Sequence, residues 1–186
     1  LLLALSSFGN NPGDWYVKEY FVNGKLKEEG WLLQKQKTAY WYYYFPNGNT
    51  ETEGNYQKNV KEGFWKTYYN NGIKKSDLFY INGKIDGWVR IFNNKAELIE
   101  IGKYNLGKKD YFWKYYSEAK LQKKEEWANG VLKWVIEYRY STPYNGLFEH
   151  YKKNILYSTG TFEIKHNTIT YFDRKGEELY SEDWNE

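Results

Sequence analysis

The chain of 186 residues has no cysteine and two histidines, His150 and His166, which excludes disulfides, thiolate metal sites, iron–sulfur clusters, a cysteine nucleophile and a multi-histidine metal centre. Aromatic residues make up 22% of it (9 Trp, 21 Tyr, 10 Phe), far more than a disordered chain carries. Its 27 basic and 24 acidic side chains leave a net charge of +3, too balanced to point to nucleic acid by itself.

Residues 1–12 begin with the apolar run Leu-Leu-Leu-Ala-Leu-Ser-Ser-Phe-Gly. It reads as the back half of a signal peptide, with Ala4-Leu5-Ser6 as the cleavage context, and is too short to span a bilayer. On that reading the protein is exported, periplasmic or associated with an outer membrane. The other reading is an apolar first strand, which would leave the protein cytoplasmic.

Residues 13–186 read as a single repeat domain with a period of about 24 residues. Trp41, Trp65, Val89 and Trp113 share one repeat position, and Tyr44, Tyr68, Phe92 and Tyr116 another. Tyr56, Tyr80 and Tyr104 form a third row. Residues 117–120 lose one position, so that Trp127 and Gly130 match Tyr104 and Gly107. An irregular insert at 131–145 fits the template poorly. The pattern resumes at Gly146 and Phe148 and ends in a degenerate copy containing Ile169, Phe172 and Gly176.

Each copy reads as a β-hairpin, because short aromatic and β-branched runs suit a pleated, half-buried surface. Asn-Gly lies between the runs at 23–24, 47–48 and 71–72, where a type I′ turn with two positive φ angles is expected. Asn-Gly at 82–83 and 129–130 marks the return to the next hairpin. Trp65 and Tyr68 are three apart, so either a bulge lies between them or both faces of the sheet are partly covered. Lone hairpins are marginal in water, but side by side their Trp and Tyr rows make one apolar ladder. The fold class expected is therefore all-β, an array of antiparallel hairpins.

The run Gly63-x-Trp65-x-x-Tyr68-Tyr69-x-Asn71-Gly72, followed by Tyr80-x-Asn82-Gly83-x-x-Asp86-Gly87, resembles the MORN-repeat variant of the bacterial YwqK-type family. The similarity covers residues 13–130 and, more loosely, 146–180. It implies an elongated, twisted sheet of hairpins and no catalytic residues. Members of that family are commonly labelled antitoxins, and MORN repeats more broadly are associated with scaffolding and membrane-lipid contact. Ala39 and Tyr111 depart from the pattern, standing where it has glycine. A second similarity is to hairpin repeats of choline- or glucan-binding wall modules, which implies an aromatic cage with Tyr40 or Trp41 as candidates.

Reactive clusters are missing from the sequence. There is no Gly-x-Ser-x-Gly, no phosphate loop and no calcium loop. His150 takes the repeat place of Thr67 and reads as a strand residue; His166 reads as a turn residue. Glu29 and Glu53 recur just before Gly30 and Gly54, which marks cross-strand partners of lysine rather than a singular catalytic pair. The lysine pairs at 74–75, 108–109, 123–124 and 152–153 read as a solvated sheet edge. Residues 163–186 carry 3 basic and 7 acidic groups, which disfavours an anionic partner such as nucleic acid.

The expected function is that of a non-enzymatic interaction or scaffold protein presenting an aromatic-rich β-surface to a protein partner, with no cofactor, metal or small-molecule substrate. Tyr43 and Tyr115 share one repeat position, and Phe45 and Tyr69 another, so these four are the candidate contact stripe. The alternatives are a module binding glycan or cell envelope, with a membrane surface as a further partner class, and an antitoxin-like partner of a toxin.

Overall fold

The computed structural model describes residues 3–6, 13–139, 144–152, 155–165 and 168–183, and every regular element among them is a β-strand. The chain divides into two compact units, residues 1–98 and 99–186. The first holds β1 (Leu3–Ser6), β2 (Asp14–Tyr20), β3 (Leu26–Leu33), β4 (Gln36–Tyr44), β5 (Thr50–Gln57), β6 (Val60–Tyr68), β7 (Lys74–Ile81), β8 (Lys84–Ile85) and β9 (Gly87–Phe92). Each strand from β1 to β7 pairs antiparallel with the next, and β7 pairs with both β8 and β9.

The second unit holds β10 (Leu98–Asn105, all but its first residue), β11 (Lys108–Ser117), β12 (Lys120–Ala128), β13 (Val131–Arg139), β14 (Tyr144–Lys152), β15 (Ile155–Lys165), β16 (Thr168–Phe172) and β17 (Glu178–Asp183), again each antiparallel to the next. Both units are thus all-β arrays of successive hairpins, as the repeat pattern requires.

Two expectations need correction. Residues 131–139, expected as an irregular insert, form β13, paired with β12 and with β14. Leu132, Trp134, Ile136 and Tyr138 alternate there like any strand, and only the Gly and Asn punctuation of the template is missing. Residues 140–143 lie outside the described residues, as does His166; His150 lies within β14.

The second correction concerns the turns. Asn23-Gly24 and its copies are not type I′ turns, because only the glycines take left-handed φ (80°, 97° and 85° at Gly24, Gly48 and Gly72). Residues 22–24 instead make a three-residue loop, with Phe21 N donating to Lys25 O (2.8 Å) and Gly24 N to Phe21 O (2.9 Å). Asn23 is held by its own side chain, whose Oδ1 accepts from Lys25 N at 3.1 Å; Asn47 and Asn71 repeat this at 3.0 Å. Two-residue turns with both φ positive do occur, at the returns 34–35, 58–59, 82–83, 106–107, 118–119 and 129–130.

Of the two readings of the Trp65–Tyr68 spacing, the one with both faces of the sheet partly covered holds, and no bulge lies in β6 between the two residues. The register slips between Thr67 and Tyr68, but the extra residue is Lys75 on the partner strand, so β6 keeps its alternation. Trp65 and Thr67 therefore face one side, and Lys66 and Tyr68 the other.

On the tryptophan side of the first unit, Val17, Trp41, Trp65 and Val89 recur every 24 residues and are 5%, 1%, 1% and 2% exposed. The opposite side carries Tyr40, Tyr42 and Tyr44, with neighbouring ring centroids 5.0 and 6.4 Å apart. In the second unit Trp113 is buried likewise, and Tyr138, Phe162, Ile169 and Tyr171 form a further cluster with Leu121, Trp134 and Ile136 packed against it.

Each buried indole lies flat on a glycine of the neighbouring strand. A Cβ on Gly30, Gly54 or Gly102 would sit 2.3, 2.2 or 2.1 Å from Cδ2 of Trp41, Trp65 or Trp113. Where Val89 takes the tryptophan's place, Leu78 takes the glycine's, so bulk is exchanged between the two positions.

The same indole also resolves a backbone problem. The repeat-start residues Ala39, Gly63 and Tyr111 have φ of 54°, 69° and 64°, and the β-ladder slips opposite them. The Nε1–H groups of Trp41, Trp65 and Trp113 donate to the carbonyls of Trp31, Asn55 and Lys103 at 3.0, 3.1 and 3.1 Å, beside each slip. A buried carbonyl left without a donor would be costly. Tyrosines from the next strands close the ladder edge-on: Tyr56 stands 5.0 Å and Tyr80 6.1 Å from Trp65.

Candidate functional site

One lysine position in the repeat places an ammonium over each indole. Lys37, Lys61 and Lys109 hold Nζ at 4.0, 4.1 and 4.1 Å from the ring centroids of Trp41, Trp65 and Trp113. In two of these three copies the charge is answered within the chain. Lys37 Nζ pairs with Glu28 Oε2 at 2.9 Å and donates to Tyr43 Oη at 2.9 Å; that hydroxyl in turn donates to Tyr56 Oη at 3.0 Å.

In the second unit Lys109 Nζ donates to Tyr115 Oη at 2.7 Å and lies 3.5 Å from Glu125 Oε2 and 4.0 Å from Glu100 Oε1. Glu125 is the hub of this cluster. It is 8% exposed and accepts from Tyr115 Oη (2.7 Å) and Trp127 Nε1 (2.8 Å), and Lys123 pairs with it at 2.8 Å. Burial opposes its ionisation, but Lys123, Tyr115, Trp127 and Lys109 together outweigh that and hold the carboxyl below its usual range. The neighbouring Glu100 lacks such bonds, and burial pushes it up. Lys109 and Lys123 were expected on a solvated edge. They turn inward instead because Glu125 and two aromatic faces are there to receive them.

Lys61 is the exception. Thr52 stands at the repeat position of Glu28, and Thr67 at that of Tyr43. Among the described residues the Lys61 ammonium has neither a hydrogen-bond nor an ion-pair partner; it meets only the faces of Trp65 and, at 5.2 Å, Tyr80. It is half-buried, and burial lowers its pKa.

Replacing a long acid and a tyrosine by two threonines also removes bulk. What remains is an open groove of about 640 Å³, lined by Phe45, Glu51, Thr52, Lys61, Thr67, Tyr69 and Lys75 among others. The threonines are anchored, with Thr67 Oγ1 2.7 Å from the buried Ser76 Oγ and Thr52 Oγ1 donating to Lys66 O at 2.9 Å. The floor of the groove is therefore fixed.

The four aromatic candidates divide accordingly. Phe45 and Tyr69 are half-buried and come together as groove walls, Tyr69 being held by a bond from its hydroxyl to Phe92 O at 2.8 Å. Tyr43 and Tyr115 are half-buried beside Trp41 and Trp113, with their hydroxyls engaged in the internal networks above. Burial raises the pKa of both.

The repeated acids lie on the opposite side of the first unit. Glu29 is bound by Tyr44 (2.7 Å) and Lys18 (3.2 Å), and Glu53 by Tyr68 (2.6 Å) and Lys66 (3.8 Å). These are the cross-strand lysine partners expected, each with a tyrosine added. Among the described residues no group of three or more His, Asp or Glu side chains is placed to hold a metal ion.

Lys61, Thr52 and Thr67 were not singled out from the sequence. The signal was available: lysine recurs at 37, 61 and 109 while its acid and tyrosine do not recur beside 61. Cage candidates Tyr40 and Trp41 are not brought together, since Trp41 is buried over Gly30 and Tyr40 packs with Tyr42 on the other side. No protein-family model matches the chain, and no curated protein matches it.

Proposed function

We propose that this chain is a non-enzymatic interaction protein that receives a protein partner in the groove between Phe45 and Tyr69. The observation carrying this reading is the groove left at the Lys61 repeat, where the acid and the tyrosine of the preceding copy are both replaced by threonine. The same place is filled by Glu28 and Tyr43 one repeat earlier, and the corresponding lysine is neutralised there. Two aromatic walls around a polar, fixed floor suit a side chain from another protein, since tyrosine and phenylalanine anchor contacts at low entropic cost.

The test is affinity capture from the native cell with mass spectrometry, comparing wild type with a Phe45→Ser/Tyr69→Ser variant whose circular dichroism is unchanged. The reading predicts a protein recovered by wild type and lost by the variant. Identical sets of recovered proteins would overturn it.

A further inference from the structure

Within the proposed groove, on whose role this inference rests, the missing chemical group can be identified from the neighbouring copies. In both other copies that place lysine over tryptophan, the ammonium is met by a carboxylate: Glu28 at 2.9 Å from Lys37, and Glu125 at 3.5 Å from Lys109. Lys61 has the same indole beneath it and the same half-buried setting, but Thr52 where Glu28 stands and Leu78 where Glu125 stands. A half-buried cation without a counter-charge is the least satisfied state of this constellation.

We infer that Lys61 is a receptor for a carboxylate side chain, an Asp or Glu of the protein partner, which completes from outside the ion pair that Glu28 and Glu125 complete from inside. Charge in the groove favours one negative charge over two. Lys61 and Lys75 line it with Glu51, so a monoanionic carboxylate balances it, whereas a dianionic phosphate would face Glu51. Thr67, at the repeat position of Tyr43, lines the groove with Lys61, and with Ser76 donating to its Oγ1 its own hydroxyl proton would serve the second carboxylate oxygen. Phe45 and Tyr69 then cover the apolar stem of the acid or of the residue next to it.

The experiment uses the full chain and a random dodecapeptide display library. The best-enriched peptide is synthesised, together with its counterpart in which each Glu and Asp is changed to Gln and Asn. The inference predicts that the enriched peptide is acidic and that Lys61→Met weakens it by about tenfold or more. It also predicts that the amidated peptide binds wild type and Lys61→Met equally. Thr52→Glu, which supplies the acid internally, should abolish acidic-peptide binding while leaving Lys61 in place.

A peptide lost on Phe45→Ser/Tyr69→Ser but indifferent to Lys61→Met would overturn the carboxylate inference and leave the groove reading intact. A peptide indifferent to both variants, or no enrichment at all, would overturn both. Inorganic phosphate shifting the Lys61 side-chain NMR signals more than acetate at equal concentration would show a phosphate site instead.

Discussion

Exchanging the bulk of Gly54 and Trp65 should show whether the array is zipped as described. A single methyl at Gly54 would lie 2.2–2.5 Å from three indole atoms of a tryptophan that is 1% exposed. Relief requires the ring to retreat by about an ångström, since ordinary contact begins near 3.4 Å. The ring is pinned by its bond to Asn55 O and by Tyr56 and Tyr80. Gly54→Leu should therefore cost about 3 kcal/mol, the upper end of typical overpacking. Trp65→Val should cost about 3 kcal/mol from lost packing and the indole bond.

The double variant recreates the Leu78 and Val89 combination the chain already uses. It should lose about 3–4 kcal/mol rather than about 6, a coupling of about 2–3 kcal/mol. Urea unfolding followed by far-ultraviolet circular dichroism, with m values compared across the cycle, measures it. A double variant within about 0.5 kcal/mol of the additive sum would refute the stacked-glycine account.

Three further outcomes follow from other residues. Ala39→Gly should stabilise by about 0.5–1 kcal/mol, because alanine occupies left-handed backbone there, whereas Gly63→Ala should cost about 1 kcal/mol; urea midpoints with unchanged m check both. Tyr16 is pushed up to about 12 by burial and its bond to Glu29, and burial with carboxylate bonds raises Tyr44, Tyr68 and Tyr115 further. The native state thus keeps protons that the unfolded chain gives up near 10, so stability is complete below pH 10 and falls as pH rises through the raised values. Melting temperature against pH from 9 to 12 reads this, and a flat profile would count against the buried hydroxyl networks. Lys109→Met removes the ion pair of Glu100, one of the two cations at Glu125 and the bond to Tyr115, and should cost about 1–2 kcal/mol, whereas Lys61→Met removes no ion pair and should leave the melting temperature level or higher.

The hairpin array was legible because its period is carried by Trp41, Trp65 and Trp113, residues too large to be placed by chance at one spacing. Strand pairing beyond residue 130 was less legible: β13 alternates Leu132, Trp134, Ile136 and Tyr138 without the turn residues that marked the other strands. The Asn-Gly turns misled because Asn can satisfy a turn in two ways, by taking positive φ or by bonding the backbone two residues on, and composition does not distinguish them. The groove residues were half legible. Phe45 and Tyr69 stand out as aromatics, but Lys61 matters through what its neighbours lack, and an unmet charge shows only when a repeat is compared with its siblings. Val17 begins the buried row one copy before the first tryptophan and carries no signal of its own.

The central claim is that Lys61 is the one lysine of its row whose acid is missing. The direct measurement is a side-chain NMR titration of Lys61 in the full chain, in wild type and in Thr52→Glu. The account predicts that Lys61 titrates below the ordinary lysine value of 10.5 in wild type and moves upward when the glutamate is supplied. Titration at or above that value in wild type, or no movement in Thr52→Glu, would contradict it.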